Sequence, residues 1–596
     1  MKDAATHSYL KKGRDVVEKN WNAIDVGATA YHKVDVPASW ATAEDNKPET
    51  VLEGRPDTVK VVKTILNPIG RMDGYSLPVS AFADLPDGQF PLGASAYEKR
   101  GVSVSVPTWD ASKCIQCNNC AYVCPHATIR PFALTEEEAA KAPAAAKIVD
   151  VKAGKGKGVY KYTMAVSPLD CMGCGVCVGV CPTKAITMVP QENELPEQEV
   201  FNYMVSKVSE KKDMQDNTVK GSQFRKPLLE FSGSCAGCAE TSYARLVTQL
   251  FGDRMYISNA TGCSSIWGGP AATSPYTVTA EGRGPAWANS LFEDNAEHGL
   301  GMYTAQAVIR ESLANKVKEV MEKTTCDERK AACQAWLDTY NDGEANKAAT
   351  KALIENLEAK VCCDTVKDIL SKKEYLSKKS VWIFGGDGWA YDIGFGGLDH
   401  VLASGEDVNV MVFDTEMYSN TGGQASKASN IGEVCQFAAA GKEISKKSLS
   451  EIAMTYGYIY VAQIALGANM NQAVKAIAEA EAYPGPSLII GYAPCELHGV
   501  KGGMTNCQNE MKKAVEAGYW NLFTFNPANK AQGKNPFTLT SKAVDAEKYQ
   551  ALLANETRYS RLTRAFPDRA KELFARNQEV ANDRYEHLTR LVDLYK

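Results

Sequence analysis

Residues 386–427 read GDGWAYDIGFGGLDHVLASGEDVNVMVFDTEMYSNTGGQASK, a stretch in which two polar, glycine-containing loops alternate with a helix and a strand. The helical pattern covers 393–403, and the apolar run at 408–413 is typical of a strand that is buried on both faces. The same alternation continues outward, with strands at 380–384, 459–464 and 487–492 and a helix at 468–482. Repeated βα units of this length predict a doubly wound α/β domain, a parallel sheet with helices on both faces.

Several residues with oxygen or sulfur ligand atoms follow the ends of these predicted strands. In open parallel sheets, ligands bind outside the carboxyl ends of the strands, so we expect Asp387, Thr415, Met417 and Cys495 to share one rim of the sheet. Mg²⁺ prefers about six oxygen ligands, some of them from phosphate. The Asp387 carboxylate, the Thr415 hydroxyl and the Met417 backbone carbonyl could supply three of these oxygens.

A Gly-Asp-Gly sequence followed by a second oxygen ligand in the next loop resembles the thiamine diphosphate motif. Gly386 and Gly388 would let the backbone approach the phosphates, and a helix that begins near residue 393 would point its N-terminus at their charge. Asn420 and Thr421 could donate hydrogen bonds to phosphate oxygens. Most thiamine enzymes have Asn at the second ligand position, where this chain has Thr, and an ordinary βα turn is the alternative interpretation.

Eight of the eighteen cysteines lie in two copies of one motif. The copies are CIQCNNCAYVCP at 114–125 and CMGCGVCVGVCP at 171–182. Both read C-x2-C-x2-C-x3-C-P, the bacterial two-cluster ferredoxin pattern, in which the fourth cysteine binds the other cluster. This predicts an α+β two-cluster domain before the α/β domain, whereas paired zinc knuckles would need two separated cysteine pairs. The expected ligand sets are Cys114, Cys117, Cys120 and Cys181 for one cluster, and Cys171, Cys174, Cys177 and Cys124 for the other.

A further group of cysteines begins with SCAGCAET at 234–241. Cys235 and Cys238 stand at the start of a helical pattern that runs to about residue 251, where a thiolate is favoured. A short strand at 255–258 and a glycine-rich loop containing Cys263 follow. From the residues alone, the pair could be a redox pair, half of a zinc site or half of an iron–sulfur site.

Composition and charge exclude several classes of function. Lys and Arg number 66 against 71 Asp and Glu, a net charge of -5, so no basic excess indicates nucleic acid or an anionic membrane surface. The sequence has no apolar run of about 18 residues and its first twenty residues lack a signal core. We therefore expect a cytoplasmic protein, with a hydrogenosome-like organelle as the alternative.

The chain resembles the C-terminal half of the pyruvate:ferredoxin (flavodoxin) oxidoreductase family, in which the whole enzyme is a single chain. The resemblance covers nearly the whole sequence and is far more specific than any single motif. It is carried by LPVSAF at 77–82, SAYEKRG at 95–101, and the stretches 36–40, 114–131, 171–182, 234–240, 262–268 and 386–427.

The resemblance implies ligands for a third four-iron cluster and for Mg²⁺. The Mg²⁺ ligands of the family correspond to Asp387, Thr415 and the Met417 carbonyl, and its Thr at the second position agrees with this chain. Asn420 corresponds to a polar residue near the reactive end of thiamine diphosphate and is the candidate catalytic residue. The third set of cluster ligands comprises Cys235, Cys238, Cys263 and Cys495.

The activity implied by the resemblance is the CoA-dependent oxidative decarboxylation of pyruvate to acetyl-CoA and CO₂. Electrons would pass from the thiamine site through three [4Fe-4S] clusters to ferredoxin or flavodoxin. The substrate-contacting N-terminal half of the family has no counterpart here, so we expect a fragment or one part of a split enzyme, in a homodimer. The alternatives are a polyferredoxin-like electron carrier and an oxidoreductase for another 2-oxoacid, while a fused NADP-reducing module is disfavoured because no flavin module follows.

The domain boundaries and the remaining side chains complete these expectations. The regions expected are 1–40, a remnant of a preceding domain; 41–105, a linker and the start of the ferredoxin region; 106–200, the two-cluster domain; 201–230, a linker; 231–543, the thiamine diphosphate-binding domain with a helical insertion at 305–375; and 544–596, a C-terminal helical extension. We expect His498 to be structural. The cysteines without cluster spacing are interpreted as buried apolar residues or inert surface thiols: Cys326, Cys333, Cys362, Cys363, Cys435 and Cys507.

Overall fold

A computed structural model describes residues 1–43, 52–154, 156–211, 213–214 and 217–596. The chain divides into two compact units, Met1–Gly54 and Arg55–Lys596. In the first unit, helix α1 (Lys2–Tyr9) and helix α2 (Arg14–Gly27) pack together, and Trp21 of α2 donates from Nε1 to the Thr6 hydroxyl over 3.1 Å. This unit extends beyond residue 40, the boundary expected from the sequence.

The start of the second unit, which lies in the region expected to be a linker and the start of the ferredoxin region, contains short helices. Helix α3 (Pro56–Val61) continues through a π-helical turn into helix α4 (Asn67–Gly70). Further on, the buried Ser95 hydroxyl donates to the carbonyl of Glu230 over 3.0 Å. This stretch therefore packs against the residues that lead into the α/β domain.

Two small antiparallel sheets hold the paired cysteine motifs. Strand β1 pairs with β5, and a second sheet has the order β2-β4-β3, with Ile129 opposite Val166. The core between them is formed by side chains such as Trp109 and Tyr162. The elements are β1 (Ser105–Trp109), α5 (Asn119–Tyr122), β2 (Ile129–Leu134), α6 (Glu136–Ala140), β3 (Val149–Asp150), β4 (Lys161–Val166), α7 (Val176–Gly179) and β5 (Ile186–Pro190).

The segment 201–230, expected to be a linker, contributes to the ferredoxin region instead. Helix α8 (Glu197–Lys207) buries Phe201 and Met204 in a cluster that also contains Leu134 of β2. Helix α9 (Val219–Ser222) follows. The apolar side chains of α8 explain the difference, because an extended linker would leave them in water.

The α/β domain is built on one eight-stranded sheet with the order β15-β14-β12-β13-β9-β8-β6-β7. The six strands from β12 to β7 are parallel, while β14 and β15 add antiparallel pairs at one edge. The predicted doubly wound α/β class is confirmed. The strands are β6 (Met255–Ala260), β7 (Ala286–Ser290), β8 (Ser380–Gly386), β9 (Asn409–Asp414), β10 (Met417–Tyr418), β11 (Gln424–Ala425), β12 (Tyr460–Ile464), β13 (Ser487–Tyr492), β14 (Phe523–Phe525) and β15 (Phe537–Leu539).

Helices cover the sheet, and two loops differ from expectation. The glycine-rich loop after β6 forms a short helix that starts at Cys263. The helix expected near 393 is preceded by a π-helical segment, Gly388–Ile393. At its first residue, Gly388 leaves room for the Tyr418 ring, which an added Cβ would approach to 2.5 Å. The helices up to β14 are α10 (Ala239–Phe251), α11 (Cys263–Gly268), α12 (Asn295–Lys323), α13 (Asp327–Asp338), α14 (Ala345–Ala359), α15 (Asp364–Ser371), α16 (Phe395–Ala403), α17 (Leu449–Met454), α18 (Met470–Ala482) and α19 (Cys507–Ala517).

Helices α12 to α15 form the helical insertion around their own apolar core, which includes Leu313, Trp336 and Leu353. Helix α12 itself starts earlier, at Asn295, and its first turn belongs to the sheet region, where Asn295 accepts a hydrogen bond from the buried Ser258 hydroxyl of β6 over 2.8 Å.

The C-terminal region is helical, as expected, and packs against the edge of the sheet. Pro567 occupies the first turn of the last helix, where its lack of an N–H group costs nothing. Among the described residues, no helix is long and apolar enough to cross a membrane. The remaining helices are α20 (Ala528–Ala531), α21 (Ala546–Asn555), α22 (Thr557–Ala565) and α23 (Pro567–Leu594).

Candidate functional site

The two cysteine motifs fold into loops with the same backbone shape. In the first loop, Gln116 and Asn118 have positive φ angles of 60° and 64°, and Gly173 and Gly175 have 66° and 73° at the equivalent positions of the second. Such left-handed conformations are easy for glycine and costly for other residues. Their repetition in both loops indicates one ligand-wrapping geometry.

The left-handed backbone conformation of these residues directs N–H groups toward the cysteine sulfurs. The Gln116 N–H donates to Cys114 Sγ over 3.3 Å, and the Gly173 N–H donates to Cys171 Sγ over 3.4 Å. In the first loop the side chains add anchors, since Gln116 donates to the Asp150 carbonyl and Asn118 to the Lys220 carbonyl, both over 2.8 Å. Hydrogen bonds to cluster sulfurs tune iron–sulfur centres, so both loops suit iron-bound thiolates.

The structure brings together the two predicted ligand sets. Burial raises the pKa of the Cys120 thiol, and its neighbours Cys117, Cys114 and Cys181 raise it further. In the second set, burial raises the pKa of the Cys171 thiol to about 12, with contributions from Cys124 and Cys174. A bound metal would reverse this penalty, because it holds the deprotonated form.

The third set also converges, from three separate elements. Cys235 and Cys238 precede α10, Cys263 begins α11 and Cys495 follows β13. Burial raises the pKa of Cys263 most, followed by Glu240 and then by the other three cysteines. Glu240 is itself buried, accepts a hydrogen bond from Trp267 Nε1 over 3.1 Å, and has its pKa raised by burial to about 7.

No three His, Cys, Asp or Glu side chains of the described ranges converge tightly enough to hold a single metal ion. A cube of four irons carries its cysteine ligands on different corners, which are farther apart than the ligands of one ion. The cubane interpretation therefore rests on the motif spacing and on the charge interactions among the cysteines.

The oxygen ligands predicted at the sheet rim lie in mutual contact. The Thr415 hydroxyl donates to Asp387 Oδ1 over 2.8 Å and contacts the Met417 carbonyl oxygen at 3.0 Å. Neighbouring oxygens around an octahedral Mg²⁺ are about 3.0 Å apart, since each Mg–O bond is about 2.1 Å. The spacing of the Thr415 hydroxyl from each of the other two oxygens therefore fits neighbouring positions in a magnesium coordination shell.

Two serines that the sequence analysis did not single out complete this cluster of oxygens. The Ser426 hydroxyl donates to Asp387 Oδ2, and the Ser419 hydroxyl donates to Thr415 Oγ1, each over 2.7 Å. Ser419 also lies near the Cys495 thiol and lowers its pKa, although burial raises the pKa overall. Ser419 therefore links the oxygen cluster to the third cysteine set. The signal that could have identified Ser419 and Ser426 in the sequence is their position in the loop region after β9.

Asp387 is fully buried, at the end of β8. Burial raises the pKa of its carboxyl well above the usual range, and the neighbouring carboxylate of Asp414 adds to the rise. The negative form is therefore disfavoured until a cation is bound next to it, which is the behaviour expected of a metal ligand that is assembled before the metal arrives.

A buried network of charges lies behind the oxygen cluster and was missed by the sequence analysis. Arg558 of α22 pairs with Glu416 at 2.8 Å, Glu433 at 3.2 Å and Glu556 at 2.6 Å. Lys446 pairs with Glu416 at 3.0 Å. Although burial raises the pKa of Glu416, Lys446 and Arg558 lower it to about 2, so Glu416 is ionised.

His498 ties this network to the ligand loop. Its Nε2 is 2.8 Å from the Thr415 carbonyl, and its Nδ1 accepts from the backbone N–H of Cys495. Burial, followed by the charge of Arg558, lowers the pKa of His498 to about 3. A neutral imidazole donating to a carbonyl is a positioning group for the loop, in line with the structural role expected for it.

The other predicted cofactor-binding residues lie at the edge of this site. Asn420 and Thr421 are exposed, and the Thr421 hydroxyl donates to Gln424. Gly388 is needed for space, as described above, whereas an added Cβ at Gly386 would meet no atom closer than 3.9 Å. The exposed side chain of Asn420 is available to a ligand and has no described hydrogen bond to the oxygen cluster.

The third cysteine set lies next to the ferredoxin region. The backbone N–H of Gly237, between Cys235 and Cys238, points at the Cys174 thiol and lowers its pKa, while burial raises it to about 11 overall. The Thr505 hydroxyl donates to the Cys174 carbonyl over 2.6 Å. The cysteines outside the three sets divide into Cys333, Cys435 and Cys507, which are buried, and Cys326, Cys362 and Cys363, which are exposed.

Three family models match the chain. Residues 44–103 match a domain of unknown function, residues 113–185 match a 4Fe-4S dicluster domain, and residues 370–490 match the C-terminal TPP binding domain of thiamine pyrophosphate enzymes. The iron–sulfur and thiamine diphosphate cofactors predicted from the motifs are thus supported by two independent matches.

Curated relatives match the whole chain at high identity. The pyruvate-flavodoxin oxidoreductase of Klebsiella pneumoniae is 48% identical over 99% of this chain and 50% of its own length. The pyruvate:ferredoxin oxidoreductase of Moorella thermoacetica is 49% identical over 100% of this chain and 51% of its own length. The mitochondrial NADP(+) pyruvate dehydrogenase of Euglena gracilis is 44% identical over 100% of this chain and 33% of its own length.

The chain spans about half the length of the first two relatives, and the resemblance inferred from the sequence is confirmed. The two matched domains are the ones that the cysteine motifs and the Gly-Asp-Gly loop predict. Over its whole length, the chain matches the C-terminal half of the pyruvate:ferredoxin (flavodoxin) oxidoreductases.

Proposed function

We propose that this chain forms the electron-transfer and thiamine-binding part of a CoA-dependent pyruvate:ferredoxin or pyruvate:flavodoxin oxidoreductase. The observation that carries the proposal is the contact through Ser419, which joins the oxygen cluster around Thr415 to Cys495 of the third cysteine set. An electron acceptor directly beside a thiamine site is what oxidative, as opposed to simple, decarboxylation requires.

Within this proposal, Asp387, Thr415 and the Met417 carbonyl would hold Mg²⁺, which would supply the positive charge that a diphosphate needs. Bound thiamine diphosphate would supply carbanion stabilisation at the reacting carbon. The chain positions the ligand oxygens and keeps them away from water, because Asp387 and Met417 are buried and His498 fixes the carbonyl of Thr415. Asn420 is proposed as the polar group at the open edge of the site.

We propose that electrons leave through the three cysteine sets in order of position. The Gly237 N–H, inside the third set, reaches Cys174 of the Cys171 set. Cys177 of that set is in turn close enough to Cys120 of the Cys114 set for their charges to interact. The Cys114 set stands at the end of this order and three of its four cysteines are only partly buried, so it is the proposed exit.

The exit carries positive charge. Lys152 donates from Nζ to the carbonyl of Cys114, Lys220 interacts with Cys117, and Lys184 follows Cys181 closely in sequence. Lys152 and Lys184 are exposed. A small acidic electron carrier, such as ferredoxin or flavodoxin, would be steered to this surface.

Reversal of charge at this exit is expected to slow electron delivery. In chemically reduced protein, Lys152→Glu should lower the second-order rate of reduction of an acidic ferredoxin at least about fivefold at low ionic strength, with the difference shrinking as salt is added. Stopped-flow mixing measures this rate without any need for pyruvate turnover. Lys367→Glu, an exposed reversal on the helical insertion, is the matched control. Equal rates for the two variants would argue against docking at the Cys114 set.

Iron content distinguishes the enzyme from the alternative, a polyferredoxin-like carrier. After anaerobic reconstitution we expect about twelve irons per chain, and Cys263→Ala should lower this to about eight, since one cube of four irons loses a ligand. Cys326→Ala, which removes an exposed thiol outside the three sets, should leave the iron content unchanged. About eight irons in the unmodified chain would favour the carrier.

The chain alone is expected to turn over little or no pyruvate. In the proposal, the remaining half of the enzyme supplies substrate contacts, the assembly is a homodimer and the compartment is the reducing cytoplasm. CoA-dependent pyruvate oxidation by this chain without a partner would contradict the proposal that the remaining half supplies the substrate contacts. Another 2-oxoacid is the second candidate substrate, but no described residue favours it.

A further inference from the structure

Cys362 and Cys363 are adjacent, exposed cysteines that have no role in the three cysteine sets. They lie in the turn between α14 and α15 of the helical insertion. The sequence interpretation of these residues was that of inert surface thiols. Their surroundings argue against inertness.

The two thiols contact each other and a buried cation. The Cys362 thiol donates to Cys363 Sγ over 3.9 Å, and Arg329 donates from Nη1 to Cys362 Sγ over 3.0 Å. Arg329 is only 5% exposed, and its other donors bind neutral oxygens of Asn356 and Lys360. No carboxylate of the described residues forms an ion pair with it. If the Cys362 thiol is deprotonated, its thiolate supplies a negative charge in direct contact with the Arg329 guanidinium.

Cys363 stands where a helix begins. It occupies the N-cap position of α15, and the backbone N–H of Val366, in the first turn, lowers the pKa of the Cys363 thiol, although no geometrically complete capping hydrogen bond forms. The Cys362 thiol lowers the pKa of Cys363 further. A thiol favoured as thiolate, exposed and beside a second thiol has the properties of an exchange nucleophile with its resolving partner.

We propose that Cys362 and Cys363 form a thiol–disulfide exchange site that captures low-molecular-weight disulfides. The Cys363 thiolate attacks one sulfur of a disulfide RSSR, forming Cys363–S–S–R and releasing RS⁻. The Cys362 thiol then attacks the Cys363 sulfur, forming the Cys362–Cys363 disulfide and releasing the second group as RSH. Two electrons move from the pair to RSSR, which is reduced to two thiols as the pair is oxidised.

The product of this exchange is readily reversed. Adjacent Cα atoms are about 3.8 Å apart across a trans peptide. Ordinary disulfides join Cα atoms roughly 4.4–6.8 Å apart, and deviations make the bond easier to reduce. The pair is therefore a reversible thiol site on a protein whose other reactive cysteines are proposed to hold iron.

Glutathione disulfide is the probe for a test on the full chain with its clusters assembled, under anaerobic conditions. Trypsin separates the two exposed groups, because Cys362 and Cys363 fall in VCCDTVK at 361–367 and Cys326 falls in TTCDER at 324–329. After alkylation of the remaining thiols, mass spectrometry reports the state of each peptide. Cys326 is the control, an exposed cysteine at the N-cap of α13 that has no adjacent cysteine in the sequence.

We expect peptide 361–367 to be oxidised at least about tenfold faster than peptide 324–329 is modified, and to carry an internal disulfide without glutathione. Cys362→Ser should trap one glutathione on Cys363, and Cys363→Ser should slow the reaction of the pair about tenfold or more. Iron content and cluster absorbance report that the variants are folded. Equal reactivity of the two peptides, or an undiminished rate in Cys363→Ser, would overturn the proposal.

Discussion

Replacement of Asp387 by Asn is expected to weaken Mg²⁺-dependent binding of thiamine diphosphate by about 100-fold or more. Loss of groups that merely support a metal ligand costs about 10–100-fold in affinity, and Asp387 is proposed to bind the metal directly. The amide also removes the charge that offsets the metal. Quenching of tryptophan fluorescence during titration with thiamine diphosphate, with and without Mg²⁺, measures the effect.

The same substitution should leave the cofactor-free protein intact. Burial raises the pKa of Asp387, so the neutral carboxyl is the favoured form before the cation binds, and a neutral amide of similar shape replaces it at little cost. Iron content should remain unchanged. Asp399→Asn, on the outer part of α16, is the control and should bind normally. An affinity within about threefold of the unmodified chain would exclude Asp387 as a metal ligand.

Arg558→Met should lower the free energy of unfolding by about 3–5 kcal/mol. The substitution removes the buried cation that pairs with Glu416, Glu433 and Glu556. Removing one partner of a buried ion pair is costly, because the carboxylates are left buried without this cation. Urea unfolding, followed by circular dichroism under anaerobic conditions, measures the loss.

An exposed arginine serves as the matched control for this measurement. Arg590→Met breaks a surface pair with Glu586 four residues away, and should cost less than about 1 kcal/mol. A loss below about 1 kcal/mol for Arg558→Met as well would mean that the buried carboxyls simply take up protons, and that the network contributes little to stability.

The strands and the cysteine loops were predictable where the signal is local. The strand predicted at 487–492 coincides with β13, because a continuous apolar run between turns has one low-energy arrangement in a covered sheet. The cysteine motifs were predictable for a different reason. A fixed spacing encodes the loop that wraps a metal cluster, and Gln116 and Gly173 adopt the same backbone despite their different side chains.

The charge network behind the oxygen cluster could not be predicted in this way. Arg558 lies in a helical stretch more than a hundred residues after Glu416, and nothing in its local pattern distinguishes it from the exposed arginines nearby. Only the packing of α22 against the ligand loop reveals its partners. The N-terminal turn of α12 illustrates the same limit, since its hydrogen bond from Ser258 of the sheet to Asn295 joins residues whose local sequence gives no sign of the contact.

The two cysteine loops differ in how firmly their backbone conformation is fixed in the absence of iron. Gln116 and Asn118 hold the first loop in its unusual backbone shape through their own side chains. The second loop has Gly173 and Gly175 at the same places, with no side chains to anchor and a wider choice of conformations in the unfolded chain. We therefore expect cluster assembly to start from one loop whose backbone is already fixed and one loop whose backbone becomes fixed when the metal binds.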